Sequence, residues 1–414
     1  LKHAVYNDFD YLEEDTFELN LISKNILRAY DFEKNISRSI RAYSGFPSIR
    51  FSAANKEGNR FHGQVIIKGV HYYFLFMTGD KNCEAEEEFF ASLRLSDFES
   101  TQPIKRITDK ELAFTAMDEV SDNSASRFNE LYAKELEKEK GDEQRKKEQE
   151  KARFDFDYRT ERKAYYSPSS NEYVNIVFEK FNDYDMRTHK EFEEILEKNV
   201  KNVNSIIVSK PKISKEKGIY TYETVLRDTA TARALAFKMF LQGGTRYEIC
   251  APFDTTIGLR GWTKGFFESF QLKDTTIGVD ITRNKFSDLV NDLCSADTVK
   301  RRKANHSVQN SISMQKAYLQ DFLSLINSGK FASISEDSRA QLLVNGGTLE
   351  NDGIILPYKK MYKQYSDSFY LQLSLLKGLA FLKTQNSYNA FAELLNGETP
   401  LVGEESLVKD VFNV

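Results

Sequence analysis

The clearest period in the chain is two. Across 234–242 the apolar residues Leu235, Phe237, Met239 and Leu241 fall on every second position, and across 245–251 Tyr247, Ile249 and Ala251 repeat the alternation. A strand points successive side chains to opposite faces, so each run predicts a strand with one well-buried face. Gly243 and Gly244 between them supply the positive φ of a tight turn, which predicts a hairpin. A second hairpin is predicted over 63–68 and 70–77, turning at Gly69. Further strands are expected over 163–166 and 173–181, joined by Ser167, Pro168, Ser169, Ser170 and Asn171, and over 4–11 and 16–23 in the corresponding part of the first half.

Both hairpins run through a polar loop into a short helix carrying paired phenylalanines. Phe89, Phe90, Ser92, Leu95 and Asp97 recur at a constant offset of 177 as Phe266, Phe267, Ser269, Leu272 and Asp274, with Leu93 answered by Phe270. A bare hairpin is marginal in water and must lay its apolar face on something. The helix with Phe89 and Leu93, or Phe266 and Phe270, one turn apart is the expected cover. Helices expected over 31–43 and 189–200 share that role. The pattern therefore predicts a duplicated sheet-plus-helix unit whose phenylalanine pairs are core and hold no ligand.

After Asp274 the period changes to that of helices, over 284–293, 314–327, 358–365, 368–384 and 387–395. Leu371, Leu373, Leu375, Leu376, Leu379, Phe381 and Leu382 make one of them apolar on most of its surface, which places it in the middle of a helical layer. Gly346-Gly347, Pro357 and Pro400 separate the elements. Helix pairs with short turns suit either a HEAT-type solenoid or a plain bundle. Between the two units, 127–153 interleaves Glu, Lys and Arg with few apolar anchors and is expected to be a solvated helical spacer. The fold class expected is α+β: two duplicated antiparallel sheet-plus-helix modules (1–120 and 161–275), a charged helical linker (121–160), and an all-α HEAT-like or bundle domain (276–414).

Composition changes this picture little. The 414 residues suit several domains, and 40% hydrophobic with 29% charged residues excludes wholesale disorder. A net charge of −4 provides no global basic field, so no nucleic-acid partner is expected. Lys300, Arg301, Arg302 and Lys303 with His306 form one basic cluster, read as a loop between helices, and Lys210, Lys212, Lys215 and Lys217 a looser one. The longest dense apolar stretch, 72–77, is strand-sized, so the chain is at most peripheral to a membrane. Because it begins at Leu1, it is expected to be a mature protein or a fragment, with any signal peptide or lipid anchor lost upstream.

Candidate chemistry is sparse. Cys83, Cys250 and Cys294 are too scattered for a disulfide framework or zinc cluster and are read as three reduced thiols, with one bridge plus a free thiol as the alternative. His3, His62, His71, His189 and His306 lack metal-ligand spacing, although His62 and His71 are placed to face each other across the first hairpin. No phosphate cradle or nucleophile elbow occurs. No catalytic, cofactor-binding or metal-ligating residue is selected, and no cofactor is expected. Exposed strand edges offer a different chemistry, since they accept a partner strand.

The hairpins over 63–77 and 233–251, each closed by a Phe-Phe-x-Ser helix, resemble the PsbP-like α+β units of Bacteroidota envelope proteins. The run 220–274, with Leu226, Arg227, Asp228, Thr229 and the Phe266-Phe267-Glu268-Ser269-Phe270 end followed by helices, is similar to the non-catalytic region of large TraB/GumN-family proteins. That family's catalytic region carries glycine- and histidine-containing metal motifs absent from this chain, so no hydrolase activity and no site residues are carried over. The resemblance implies an exported protein of the periplasm or outer-membrane surface. The expected function is a non-enzymatic envelope scaffold offering surfaces to a protein partner in a membrane-associated assembly. The alternatives are carriage of a small ligand or lipid in a sheet–helix pocket, or the non-catalytic part of a larger TraB/GumN-like hydrolase.

Overall fold

The computed structural model describes residues 14–79, 86–96, 102–119, 159–170, 172–192, 194, 206–274, 277–310, 312, 314–397 and 399–400. The expected strand over 4–11, the spacer over 127–153, Cys83 and His3 lie outside them. The chain is α+β, with antiparallel sheets followed by a helical C-terminal region.

The first sheet is a meander of β1 (Lys34–Tyr43), β2 (Phe46–Ala54), β3 (Arg60–Lys68) and β4 (His71–Gly79), hydrogen-bonded in chain order. Ser44 and Gly45, at φ of 52° and 89°, make the two-residue turn between β1 and β2. One face carries Ile49, Phe51, Phe61, Val65, Ile67 and Tyr72 beneath α1 (Asp15–Ala29). α1 contacts it through Leu19, Ile22, Ile26 and Leu27, spaced at helical intervals. The strand expected over 16–23 is thus part of a helix. The helix expected over 31–43 is the strand β1. Gly63 lies under the Phe51 ring, which a Cβ would approach to 2.4 Å. The opposite face is largely polar, with Ser48, Arg50, His62, Gln64 and Lys68 buried beside Phe46 and Ile66. There α2 (Glu86–Ser92) crosses it, the Arg50 guanidinium 3.9 Å from the Phe90 ring centre and 2.9 Å from Glu86.

Four strands of the second sheet are the predicted ones: β7 (Arg159–Tyr166), β8 (Tyr173–Lys180), β12 (Arg233–Gln242) and β13 (Thr245–Asp254). With β10 (Lys212–Glu216) and β11 (Ile219–Asp228) they run in the order β10-β11-β12-β13-β8-β7, and β9 (Ile206–Val208) adds to β11. The register pairs Ala236 with Ala251 and Phe240 with Tyr247. Tyr247, Ile249 and Ala251 therefore share a face with Ala236 and Phe240, and Leu235, Phe237, Met239 and Leu241 face the other way. Both faces are covered, which a reading of one buried face per strand does not anticipate. On the first face lies α3 (Gly261–Ser269), with Trp262, Phe266, Phe267 and the following Phe270 buried among Phe178, Tyr247 and Ile249. The hairpin β5 (Ile104–Asp109) and β6 (Phe114–Glu119), inside the 1–120 span, packs on this second sheet through Leu112, Phe114 and Ala116. β14 (Gln271–Leu272) pairs with β6. Phe181, Phe192 and Ile281 cover part of the other face.

Counted from their turns, α2 and α3 cover the same face of their hairpins. Lys68 and Gln242 end β3 and β12 at the turn, and the faces they share with Gln64 and Lys238 carry the helices. Each second phenylalanine lies under a cation from that face, Arg50 over Phe90 and Lys238 over Phe267 at 4.9 Å. The first phenylalanines differ. Phe266 packs on Tyr165 of β7 at 5.0 Å, whereas the first sheet ends at β4 with no such extension among the described residues. Phe89 stands 39% exposed, so the expectation that all four rings are core fails at this one.

The helical region comprises α4 (Phe286–Leu293), α5 (Thr298–Asn310), α6 (Leu319–Ile326), α7 (Gly329–Ser333), α8 (Glu336–Gly346), α9 (Ile355–Gln364), α10 (Phe369–Leu382) and α11 (Gln385–Gly397). α10 is the predicted central helix, buried from Leu371 to Leu376 and at Gly378, Leu379 and Leu382, with Phe381 exposed, and packed against α8, α9 and α11 at once, which makes the region a bundle. Gly346 and Gly347 continue helically and form no break. They and Gly378 let α8 and α10 approach until a Cβ on Gly378 would lie 2.5 Å from the Leu343 carbonyl. Among the described residues no helix is long and apolar enough to cross a membrane.

Candidate functional site

The parts are joined by buried polar contacts between residues far apart in sequence. Arg233, at the start of β12, is 1% exposed. Its guanidinium donates to Glu18 of α1, to Tyr72 Oη at 3.1 Å and to Thr231 Oγ1 at 3.2 Å, and lies 3.4 Å from Asp15 Oδ1. Asp15 accepts from the Ala232 amide and Thr231 Oγ1, both at 2.8 Å. Burial raises the Asp15 carboxyl above its ordinary range in spite of these bonds and of Arg233. Burial likewise raises the Tyr72 phenol. Beside this node the β3–β4 turn enters the second sheet. The Gly69 amide donates to Asp254 Oδ2 at 3.0 Å, and Val70 sits among Tyr173, Leu226, Leu235 and Cys250.

A second set joins the sheets to the bundle. Asn182 donates to Ser307 at 2.8 Å, Tyr184 to Asp292 at 2.7 Å, and Lys303 pairs with Asp183 at 3.1 Å. Lys285 is fully buried, its ammonium 3.3 Å from the Val279 carbonyl. Burial pushes it down to about 8, opposed by the charges of Asp185 and Asp183. These groups are buried or half-buried and engaged with one another, and they tie the sheets to the bundle.

The basic cluster at 300–303 lies within α5, not in a loop. Lys303 is committed to Asp183, and Arg301 bonds the Ser295 carbonyl. Lys212 and Lys215 belong to the short edge strand β10, with the Lys215 ammonium over the Tyr220 ring at 4.5 Å. His62 and His71 are at opposite ends of the first hairpin, paired with Met77 and Lys68, so they do not meet. His62 Nδ1 is 2.9 Å from Glu86. Cys250 is buried and Cys294 exposed. Among the described residues no group of three or more His, Cys, Asp or Glu is placed to hold a metal ion.

Two features face solvent. A cleft of about 200 Å³ between β11 and α3 has Val225, Ala236, Phe253 and Phe267 on its floor and Lys210, Lys212 and Glu268 on its rim. Its Thr224 hydroxyl donates to the Ser209 carbonyl and its Ser209 hydroxyl accepts from the Val225 amide, and its volume is below the roughly 300–1,000 Å³ of small-molecule sites. The aromatic interior under α3 is filled, Phe114 and Phe270 stacking at 4.6 Å and Phe178 and Tyr247 at 5.0 Å.

The other feature is β1. Nine of its ten residues are exposed and only Tyr43, whose hydroxyl donates to the Leu93 carbonyl at 2.8 Å, is partly covered. β2 pairs with one edge, and the other edge meets no strand among the described residues. The two-residue turn makes Tyr43 and Phe46 a hydrogen-bonded pair, and the alternation from there directs the backbone groups of Ala42, Ile40 and Arg38 outward. Those residues share the face over which α1 lies, where Arg38 Nε donates to Ser23 at 3.1 Å. Ile36 and Ile40 are 44% and 43% exposed, and Phe17 and Leu21 are exposed one turn apart on α1. Lys34, Arg38 and Arg41 supply three cations, with no carboxylate, in ten residues. This surface was missed in the sequence, where Ile36, Ile40 and Tyr43 imitate a helical stripe. The signal that identifies it is the Ser44-Gly45 turn ahead of the alternating β2.

No family model matches the chain, and no curated protein matches it. A crystal structure of a Bacteroides thetaiotaomicron VPI-5482 protein at 1.50 Å resolution is similar at 8% identity over 62% of this chain and 93% of its own, with a TM-score of 0.16. A likeness that slight bears on neither fold nor function.

Proposed function

We propose that the protein is a non-catalytic binding scaffold that contributes a protein-interaction surface to a cell-envelope assembly. The observation that carries this reading is β1, ten residues long, exposed on both faces and meeting no strand along one edge among the described residues. An open edge offers unpaired amides and carbonyls at fixed spacing, the usual template for a second chain. The buried ties at Arg233 and around Lys285 support it by holding that edge on a body built from distant parts of the sequence. The similarity of the two hairpin-and-helix layers favours a doubled unit enlarging the surface. Placement in the envelope rests on the resemblance of those layers to PsbP-like units. Ligand carriage is disfavoured at the 200 Å³ cleft, which is small for such a site, and beneath α3, where the rings fill their own space.

The test is purification of the native protein from the membrane fraction under mild detergent, with quantitative mass spectrometry. A stoichiometric partner that crosslinks to the first sheet agrees with the proposal. Recovery as a lone soluble chain, with no crosslinked protein, contradicts it.

A further inference from the structure

The chemistry of β1 specifies what should pair with it. We infer that β1 receives an extended, acidic segment of a partner protein, added antiparallel as a fifth strand of the first sheet. This deepens the scaffold reading and rests on it. The outward amides and carbonyls of Arg38, Ile40 and Ala42 supply main-chain hydrogen bonds without regard to sequence. Selectivity comes from the two faces. On the α1 side, Ile36 and Ile40 present apolar surface on either side of Arg38, whose guanidinium is turned to Ser23, beside the exposed Phe17 and Leu21 of the helix. On the α2 side, Ser37, Ser39 and Arg41 are polar. A segment alternating apolar and acidic residues matches both, placing its apolar side chains toward α1 and its carboxylates near Arg41 and Lys34.

The same charges argue against a second copy of this chain. Antiparallel pairing of β1 with itself about Arg38 sets that guanidinium against its twin and puts the remaining cations on a shared edge with no carboxylate to meet them. Cations on an edge strand discourage self-association while leaving an acidic partner favoured. The bulge between Lys34 and Ser37, with Asn35 at φ 52°, ends the regular edge and limits the paired length. β10 is an inferior template, five residues long with lysines near both ends.

The probe is a blocked ten-residue peptide of alternating valine and glutamate, matched to the length of β1. Two controls accompany it: the valine–lysine peptide, and the valine–glutamate peptide N-methylated at alternate residues to remove its donors along one edge. Binding to the full chain is followed by calorimetry, and amide exchange reads β1. The expected result is saturable binding of the acidic peptide, protection of Arg38, Ile40 and Ala42, and loss of binding with the lysine or N-methylated peptide. The Lys34→Glu/Arg41→Glu double variant should bind about tenfold or more weakly, with Trp262 fluorescence unchanged. Three results overturn the inference: no binding at millimolar peptide, binding without protection of those amides, or a dimer whose β1 amides are protected before peptide is added. A native partner that crosslinks elsewhere leaves the scaffold reading standing and removes only this one, so the two fail separately.

Discussion

Replacing Arg233 with methionine should uncouple the first sheet from the second. Arg233 is sealed from solvent and faces Asp15 and Glu18, the former 6% exposed. Methionine restores much of the volume but leaves two acidic groups with no cation, and the Tyr72 and Thr231 hydroxyls each lose the guanidinium as a donor. Removing one member of a buried pair typically costs about 3–5 kcal/mol, whereas neutralising the whole set costs much less. Asp15→Asn/Glu18→Gln in the Arg233→Met background should therefore recover part of the loss. Urea unfolding followed by far-UV circular dichroism and by the fluorescence of Trp262 is the assay. Trp262, the sole tryptophan, is buried in the second module and bonded to Asp118 at 2.9 Å, so it reports that half alone. In the parent the two signals should coincide. In Arg233→Met the dichroism should begin to fall at lower urea than the fluorescence. A loss below about 1 kcal/mol with coincident transitions would refute the claim that this node couples the modules.

Three further outcomes follow from other contacts. The Lys285 ammonium titrates near 8 when folded, below its ordinary 10.5, so the unfolded chain binds its proton first as pH falls. Stability should rise by about 3 kcal/mol between pH 8 and pH 10.5 from this group, and denaturation between pH 8 and 9.5, below the tyrosine range, should show a rising slope that Lys285→Met abolishes. Phe89→Ala should cost under about 1 kcal/mol, and Phe266→Ala about 3–5 kcal/mol, in thermal unfolding. Equal losses would mean that Phe89 is covered. Gly378→Ala should destabilise the bundle by about 1–3 kcal/mol, because the added methyl meets the Leu343 carbonyl and the Tyr358 ring. A neutral result would mean that α8 and α10 separate without penalty.

The hairpins around Gly69 and Gly243-Gly244 were legible because a positive-φ turn and an alternating apolar pattern coincide there. α10 was legible because its leucines cover most of its circumference. Thr16 to Ser23 alternates like a strand at Phe17, Leu19 and Leu21, but Leu19, Ile22, Ile26 and Leu27 carry a helical period once the segment is followed to Ala29. β1 imitates a helix in its sequence because an edge strand exposed on both faces has no buried side to impose a period of two. α5 was hidden by its charges, which mask the stripe of Ala304, Ser307 and Val308. Register decided what patterning left open: Leu235 and Tyr247 each lie on a buried face, and only the pairing of Phe240 with Tyr247 puts those faces on opposite sides. The Arg233 node joins residues more than 200 positions apart, and no local rule reaches that far.

Amide hydrogen exchange across β1 in the free, full-length protein tests the open edge most directly. Arg38, Ile40 and Ala42 should exchange nearly as fast as unstructured amides, while Ser39, Arg41 and Tyr43, turned toward β2, and the amides of β3 are protected. Uniform protection along β1 would mean that the edge is already occupied, and the surface on which the proposed function stands would not exist.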